Sequence, residues 1–134
     1  MRILVVEDEP AICEFLKEGL ETRPDFEVDT AADRSSVEMA RHRAYDLVIA
    51  DMHLSDDLDG LSIIEEISEF DRNVRFIVMT GNKRLDIAKK LVTAIKGNQV
   101  ASFLFKPFDL EELIIAVDRI RKTAAESDPV SRQT

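Results

Sequence analysis

Residues 46–51 read Asp46-Leu47-Val48-Ile49-Ala50-Asp51, with four apolar residues in a row between two carboxylates. A short run of β-branched and aliphatic residues between polar ones predicts a strand that is buried on both faces. Asp51 then lies at the carboxyl end of that strand, where open α/β sheets place their ligand sites. An aspartate is also a common turn and capping residue, so its role depends on the residues at the ends of the other strands.

The composition indicates a single globular domain. The chain has 134 residues, of which 34% are charged and 45% hydrophobic, enough to bury a core of its own. We expect a cytoplasmic protein without membrane contact, because no apolar run approaches the roughly 20 residues of a transmembrane helix and no secretion signal is visible. Cys13 is the only cysteine, which excludes an internal disulfide. The net charge of −9 argues against direct nucleic-acid binding by this chain.

Strand and helix patterns alternate along the whole sequence. Besides residues 46–51, strands are predicted over 2–6, 26–30, 76–79 and 100–105. Apolar residues at helical spacing predict five helices, over 10–20, 33–42, 60–67, 84–96 and 109–120. From about residue 123 the chain becomes polar. We therefore divide it into a folded domain over 1–122 and a polar tail, or the start of a linker, over 123–134.

Five strand-helix repeats predict a parallel sheet with helices on both faces. Right-handed crossovers bring the carboxyl ends of all the strands to one edge of the sheet. The polar residues at these ends are Glu7 and Asp8 after the first strand, Asp51 after the third, Thr80 after the fourth and Lys106 after the fifth. Their repeated position after apolar strands favours a common functional site over separate turn and capping roles.

These residue types together suit phosphoryl transfer. Neighbouring carboxylates repel one another unless a cation lies between them, and an all-oxygen ligand set suits Mg²⁺, which commonly bridges carboxylates to a phosphate. Asp51 would be the nucleophile and form an aspartyl phosphate. Mg²⁺ and Lys106 would neutralise the transferring oxygens, and Thr80 would donate a hydrogen bond to them.

From about Arg2 to Lys122, the sequence resembles the receiver domains of bacterial two-component response regulators. The matching motifs are Val5-Val6-Glu7-Asp8-Glu9, the strand ending at Asp51, Asp59-Gly60, Thr80-Gly81 and Phe103-Leu104-Phe105-Lys106-Pro107-Phe108. The resemblance implies a flavodoxin-like, doubly wound, five-stranded parallel sheet in the order 2-1-3-4-5 with five helices.

The resemblance also implies a phosphoryl donor and a metal. Asp51 would take its phosphoryl group from a phosphohistidine of a sensor histidine kinase or a phosphotransfer protein. Mg²⁺ would bind Asp8, Asp51 and the backbone carbonyl of His53, and would reach Glu7 through water. The chain would then be a signalling phosphoacceptor, and not an enzyme beyond its own phosphorylation and dephosphorylation.

The same resemblance implies a switch. Lys106 and Thr80 would hold the phosphoryl oxygens, Thr80 and Phe103 would turn inward, and the Lys106–Pro107 peptide would be cis, which costs little before proline. The output surface would comprise the predicted fourth helix, fifth strand and fifth helix. It would act on an output domain or on a partner protein.

The sequence departs from the family pattern in three places. Ser55 stands where a proline is common, four residues after the acceptor, and the loop to Asp59-Gly60 is one residue longer. The stretch from Thr80 to Lys106 is also longer, with Gly97-Asn98-Gln99 in place of a turn of small residues. We expect these changes to leave the chemistry intact and to alter the shape of the predicted fourth helix.

Three other functions remain as alternatives. A small Mg²⁺-dependent phosphatase of the haloacid-dehalogenase-like kind would place a second aspartate two residues after its nucleophile, where this chain has His53. A flavin carrier would need a Ser/Thr/Gly-rich phosphate loop after the first strand, where this chain has Glu7, Asp8 and Glu9. The third alternative is an unphosphorylated scaffold. The output is open as well, as either a direct protein contact or a domain beyond Thr134.

Overall fold

The computed structural model of the protein describes residues 1–55, 58–81 and 99–127, with the backbone alone at 53–55, 58–59 and 123–127. Its elements are β1 (Arg2–Val6), α1 (Pro10–Leu20), β2 (Glu27–Ala31), α2 (Ser35–His42), β3 (Leu47–Asp51), β4 (His53–Ser55), β5 (Leu58–Asp59), α3 (Gly60–Phe70), β6 (Arg75–Thr80), β7 (Val100–Phe105) and α4 (Leu110–Ser127). The predicted fourth helix, over 84–96, lies outside these residues, so α4 corresponds to the predicted fifth helix. None of the described helices is both long and apolar enough to cross a membrane.

Five strands form one parallel sheet in the order β2-β1-β3-β6-β7. Counting only these five strands, this is the predicted order 2-1-3-4-5, and the flavodoxin-like fold is confirmed. The chain first builds the sheet outward from β1 to β2 and then continues on the other side of β1 with β3. Such a reversal between neighbouring strands opens a crevice at their carboxyl ends.

The core lies on both faces of the sheet, because successive strand residues point to opposite sides. In β1, Ile3 and Val5 pack on the side of α1 and α4, whereas Leu4 and Val6 pack on the side of α2 and α3. β3 is buried along its whole length, as its apolar sequence predicts. Each fully buried aliphatic side chain stabilises the fold by roughly 1.5–3 kcal/mol, so this central strand holds its carboxyl end firmly in place.

Local sequence signals fix the helix starts. Pro10 is the first residue of α1, where its missing N–H leaves no hydrogen bond unmade. The Oδ1 atom of Asp109 accepts the N–H of Glu112 at 2.8 Å, so Asp109 caps the start of the last helix. Asp33 precedes α2 and accepts the N–H of Ser35 at 2.8 Å.

The segment after β3 differs from the prediction. The sequence predicts a loop up to Asp59-Gly60, with many acidic and turn-forming residues. Instead, β4 and β5 form an antiparallel hairpin that pairs His53 with Asp59 and Ser55 with Leu58. The hairpin is closed by the N–H of Gly60, which donates to the carbonyl of Met52 at 3.0 Å. This contact joins the two ends of the segment, and a turn-rich composition does not reveal it.

Gln99 accounts for one departure from the family pattern. Its side chain is buried, and its Nε2 atom donates to the backbone carbonyls of Asp71 and Val74, at 2.9 Å each. A buried amide with both donors satisfied stabilises its surroundings. The start of β7 is thereby fixed to the turn between α3 and β6.

Candidate functional site

Polar residues lie at the carboxyl ends of four neighbouring strands. Glu7 follows β1, Asp51 ends β3, Thr80 ends β6 and Lys106 follows β7. Backbone hydrogen bonds hold these ends together, since the N–H of Lys106 donates to the carbonyl of Thr80 at 2.8 Å. The structure thus brings the residues predicted from separate strands to one edge of the sheet.

Lys106 connects two buried carboxylates. Its Nζ atom lies 2.7 Å from Oδ2 of Asp51 and 3.3 Å from Oε2 of Glu7. Glu7 is 1% exposed and Asp51 5% exposed. Two acidic groups in so little solvent repel each other strongly, and one ammonium group compensates part of that repulsion.

The pKa of Glu7 reflects its burial and the neighbouring Asp51. Burial, followed by its hydrogen bond with Asp51 and the charge of Asp51, raises the pKa of Glu7 from 4.5 to about 7. The charge of Lys106 and the N–H of Glu9, which donates to Glu7 at 3.2 Å, act in the opposite direction. Without a cation, the pocket therefore favours the protonated form of Glu7 more than solvent does.

The same pocket favours the charged form of Lys106. Burial by itself lowers the pKa of its ammonium group, but the hydrogen bond to Asp51 and the charges of Asp51 and Glu7 outweigh burial and raise it. Lys106 accordingly keeps its positive charge across the physiological pH range.

The carboxylates form a pocket that fits a divalent cation. Glu7, Asp8 and Asp51 each offer an oxygen, and these atoms lie within 4.8 Å of one another. Asp8 is exposed, while the other two are buried. An all-oxygen donor set that is short of positive charge is the kind that Mg²⁺ binds. The backbone of His53 belongs to β4, two residues after Asp51, and its carbonyl stays a predicted ligand.

The two predicted switch residues lie on the next strands. Thr80 is buried at the end of β6, and Phe103 is half-buried on β7, where it pairs with Val78 and packs against the core on the side of α2 and α3. A groove between β7 and α4 is lined by Phe103 and by the exposed Ile115. The inward movement of Thr80 and Phe103 stays a prediction. The Lys106–Pro107 peptide is cis, as expected.

Two neighbours of the site were not predicted. Gly60 lies against the main chain of Asp51, and the motif Asp59-Gly60 was the signal that could have pointed to it. The Sγ atom of Cys13 donates to the carbonyl of Glu7 at 3.0 Å. Burial, helped by the charges of Glu7 and Asp8, raises the pKa of this thiol. Cys13 thus supports the first acidic loop as a neutral group, and nothing in its sequence context indicated that.

Several known proteins are similar to this chain in sequence. The family model described as the response regulator receiver domain matches residues 3–118. A DNA-binding transcriptional regulator NtrC of Azospirillum brasilense is 33% identical over 120 residues, which are 87% of this chain and 23% of that protein. The response regulator ArlR of Staphylococcus aureus is 30% identical over 128 residues, 95% of this chain and 55% of that protein.

A solved structure shows the same fold. The receiver domain protein of Methanospirillum hungatei, described as CheY-like, superimposes with a TM-score of 0.84 at 22% identity, covering 95% of this chain and 98% of that one. The chain spans about a quarter of the NtrC relative and about half of the ArlR relative.

Proposed function

The chain belongs to the response regulator receiver domain family, and on that premise we propose that it is a phosphorylation-dependent switch whose phosphoacceptor is Asp51. The phosphoryl group comes from a phosphohistidine of a sensor histidine kinase or a phosphotransfer protein. Transfer to a carboxylate forms one P–O bond at Asp51 and breaks the P–N bond of the donor histidine, which leaves as a neutral imidazole once protonated.

The single observation that carries this proposal is the position of Lys106. Its ammonium group lies 2.7 Å from Oδ2 of Asp51, in a pocket where Asp51 is almost fully buried. A fixed cation at this position offsets the negative charge that an incoming phosphoryl group brings. Thr80, at the end of the neighbouring strand β6, supplies the hydroxyl that donates to a phosphoryl oxygen.

Mg²⁺ is the proposed cofactor. Asp8, Asp51 and the backbone carbonyl of His53 would hold it, and Glu7 would reach it through water. When bound, the ion would supply positive charge that lowers the repulsion between phosphoryl oxygens and carboxylates.

The proposed output surface comprises β7, α4 and the predicted helix over 84–96. Thr80 and β7 are directly linked, because Thr80 pairs with Phe105 and its carbonyl accepts the N–H of Lys106. An inward movement of Thr80 toward a phosphoryl group therefore acts on β7, and Phe103 lies two residues away on the same strand. Phosphorylation then biases a two-state rearrangement on this face, which an output domain or partner protein detects.

The remaining expectations are part of the same proposal. Residues 1–122 form the receiver domain and 123–134 a tail or the start of a linker. The chain makes no direct contact with nucleic acid or a membrane and works in the cytoplasm. Its chemistry is limited to its own phosphorylation and dephosphorylation.

Intact-mass measurement tests the proposal. The chain is incubated with acetyl phosphate and Mg²⁺, and in parallel with acetyl phosphate and a chelator. We expect one added phosphoryl group in Mg²⁺ and almost none in chelator. An unchanged mass in Mg²⁺, or equal labelling in chelator, contradicts the proposal.

A turnover measurement separates this function from the phosphatase alternative. A receiver releases its phosphoryl group slowly and from itself, whereas a phosphatase turns over a general phosphate ester many times per chain. Continuous release of p-nitrophenol from p-nitrophenyl phosphate by the parent chain, lost in Asp51→Asn, would favour the phosphatase.

A further inference from the structure

We propose that Gly60 is a positioning residue for the phosphoacceptor. Gly60 is the first residue of α3, and its missing side chain lets the start of that helix lie directly on the main chain of Asp51. The inference rests on the proposed function and adds a residue that sets the geometry of the same site. Gly60 acts through Asp51 and does not contact the reacting atoms.

The space at Gly60 is closed by backbone on the side where a Cβ would stand. A Cβ added there would lie 2.0 Å from the carbonyl oxygen of Asp51, 2.9 Å from its carbonyl carbon and 3.2 Å from the Cα of Met52. Real Cβ atoms essentially never approach a heavy atom of a non-neighbouring residue within 3.0 Å. Any side chain at this position therefore requires a movement of α3 or of the peptide between Asp51 and Met52.

This peptide is held from both sides. The N–H of Met52 donates to the carbonyl of Met79 in β6 at 2.9 Å, and the carbonyl of Met52 accepts the N–H of Gly60 at 3.0 Å. β6 belongs to the packed centre of the sheet and cannot move easily. The position of the peptide between Asp51 and Met52 therefore depends mainly on the start of α3. A displacement there moves Asp51 together with the backbone of His53, which are two of the three groups proposed to bind the metal directly.

The other glycines in the described part of the chain differ from Gly60. A Cβ at Gly19 would lie 2.4 Å from Cδ1 of Leu110, the mobile end of a side chain, and a Cβ at Gly81 would meet nothing within 4 Å. Gly19 lies on α1, away from the site, whereas Gly81 directly follows Thr80. Gly19→Ala is therefore the control for adding a methyl group in a packed contact. Gly81→Ala is the control for the same change next to the site.

The expected loss of Mg²⁺ affinity and of labelling rate follows from how sensitive metal and reaction sites are to small displacements. A shift of about 1 Å at reacting groups costs on the order of a hundredfold in rate, and changes in the groups that orient metal ligands cost about 10–100-fold in metal affinity or activity. Gly60→Ala should therefore bind Mg²⁺ at least about tenfold more weakly and accept phosphoryl groups at least about tenfold more slowly.

The test compares the parent, Gly60→Ala, Gly81→Ala and Gly19→Ala. Calorimetric titration gives the Mg²⁺ dissociation constant, and intact mass gives the rate of labelling by acetyl phosphate at saturating Mg²⁺. We expect the tenfold losses in Gly60→Ala alone, with a parent-like far-UV circular dichroism spectrum, and controls within about twofold of the parent. A Gly60→Ala chain that does not fold, or one that stays within twofold in both measurements, overturns the positioning role.

A second measurement uses the parent chain only. If Gly60 sets the main chain around the metal site, its amide resonance shifts during a Mg²⁺ titration with the midpoint found by calorimetry. A Gly60 amide that stays unchanged while Mg²⁺ binds overturns the inference. Failure of the proposed function is distinguishable, because it shows as a parent chain that takes up no phosphoryl group, whatever the variants do.

Discussion

Lys106 and Asp51 are joined by a contact of 2.7 Å between Nζ and Oδ2, across 55 positions of the sequence. The same ammonium group reaches Glu7 at 3.3 Å. In the described part of the site, Lys106 is thus the cation that keeps two buried carboxylates together before a metal binds. Its removal should affect both stability and chemistry.

Lys106→Met should destabilise the metal-free chain. The change leaves Asp51 and Glu7 buried without their ammonium partner, and breaking a buried pair from one side is strongly unfavourable. Because Lys106 is itself 26% exposed, we expect a loss of about 1–3 kcal/mol in the free energy of unfolding, below the full range for buried pairs. Urea unfolding in chelator measures it.

Lys17→Met is the matched control for this loss. Its Nζ atom lies 3.9 Å from Glu21 and both side chains are largely exposed, so removing the charge should change the free energy of unfolding by less than about 0.5 kcal/mol. Equal effects of the two substitutions would show that Lys106 has no special role in the pocket.

Glu7 should make the metal-free chain less stable as the pH rises from about 4.5 to about 7. Its pKa is higher in the folded chain than its ordinary value of 4.5, so the folded chain binds this proton more tightly than the unfolded chain does. The resulting stabilisation is complete below the pKa of Glu7 in the unfolded chain. It is lost as the pH rises past the pKa of Glu7 in the folded chain. Chemical unfolding in chelator at a series of pH values should show a decrease of a few kcal/mol over this window.

Glu7→Gln should flatten that pH dependence, because the glutamine does not titrate. Glu18→Gln, at an exposed position of α1, should leave the slope of the parent unchanged. A Glu7→Gln chain that keeps the parent's full decrease between pH 4.5 and 7 would assign the titration to another group.

Gln99→Ala should destabilise the fold without affecting the metal site. The substitution leaves the carbonyls of Asp71 and Val74 without the amide that now donates to both. Unsatisfied buried polar groups cost roughly 1–3 kcal/mol, and we expect a loss of this size by urea unfolding. Asn73→Ala, on the exposed part of the same turn, should stay within about 0.5 kcal/mol. A loss in Gln99→Ala no larger than in Asn73→Ala would contradict this.

Hydrogen exchange should locate the output surface. With Mg²⁺ and beryllofluoride as a mimic of the phosphoryl group, we expect altered exchange at the end of β6, along β7 and in α4. The reason is the backbone link from Thr80 to Lys106 at 2.8 Å. Asp51→Asn should show none of these changes. Changes confined to residues 10 to 45 would place the output elsewhere.

Much of the fold and site could be predicted because each signal was local. The apolar run before Asp51 predicted a strand buried on both faces, and β3 is buried throughout. Once the strands are known to be parallel, their carboxyl ends must meet at one edge. The meeting of Glu7, Asp51 and Lys106 therefore followed from where each residue stands after its strand.

The features that escaped prediction depend on contacts and burial that appear only once the chain is folded. Gln99 was noted only as a departure from the family's small-residue turn, but its bonds reach 28 and 25 residues back to Asp71 and Val74. The hairpin of β4 and β5 depends on the closure from Gly60 to Met52. The raised pKa of Glu7 depends on how much water the packed sheet removes, which no local pattern reports.

The most direct test of the central claim is to locate the phosphoryl group. After reaction with acetyl phosphate and Mg²⁺, borohydride reduces an aspartyl phosphate to homoserine, which peptide mass spectrometry can place. We predict homoserine at position 51 in the parent chain, and no added phosphoryl group in Asp51→Asn. Homoserine at another aspartate, or full labelling of Asp51→Asn, would contradict the assignment of Asp51 as the phosphoacceptor.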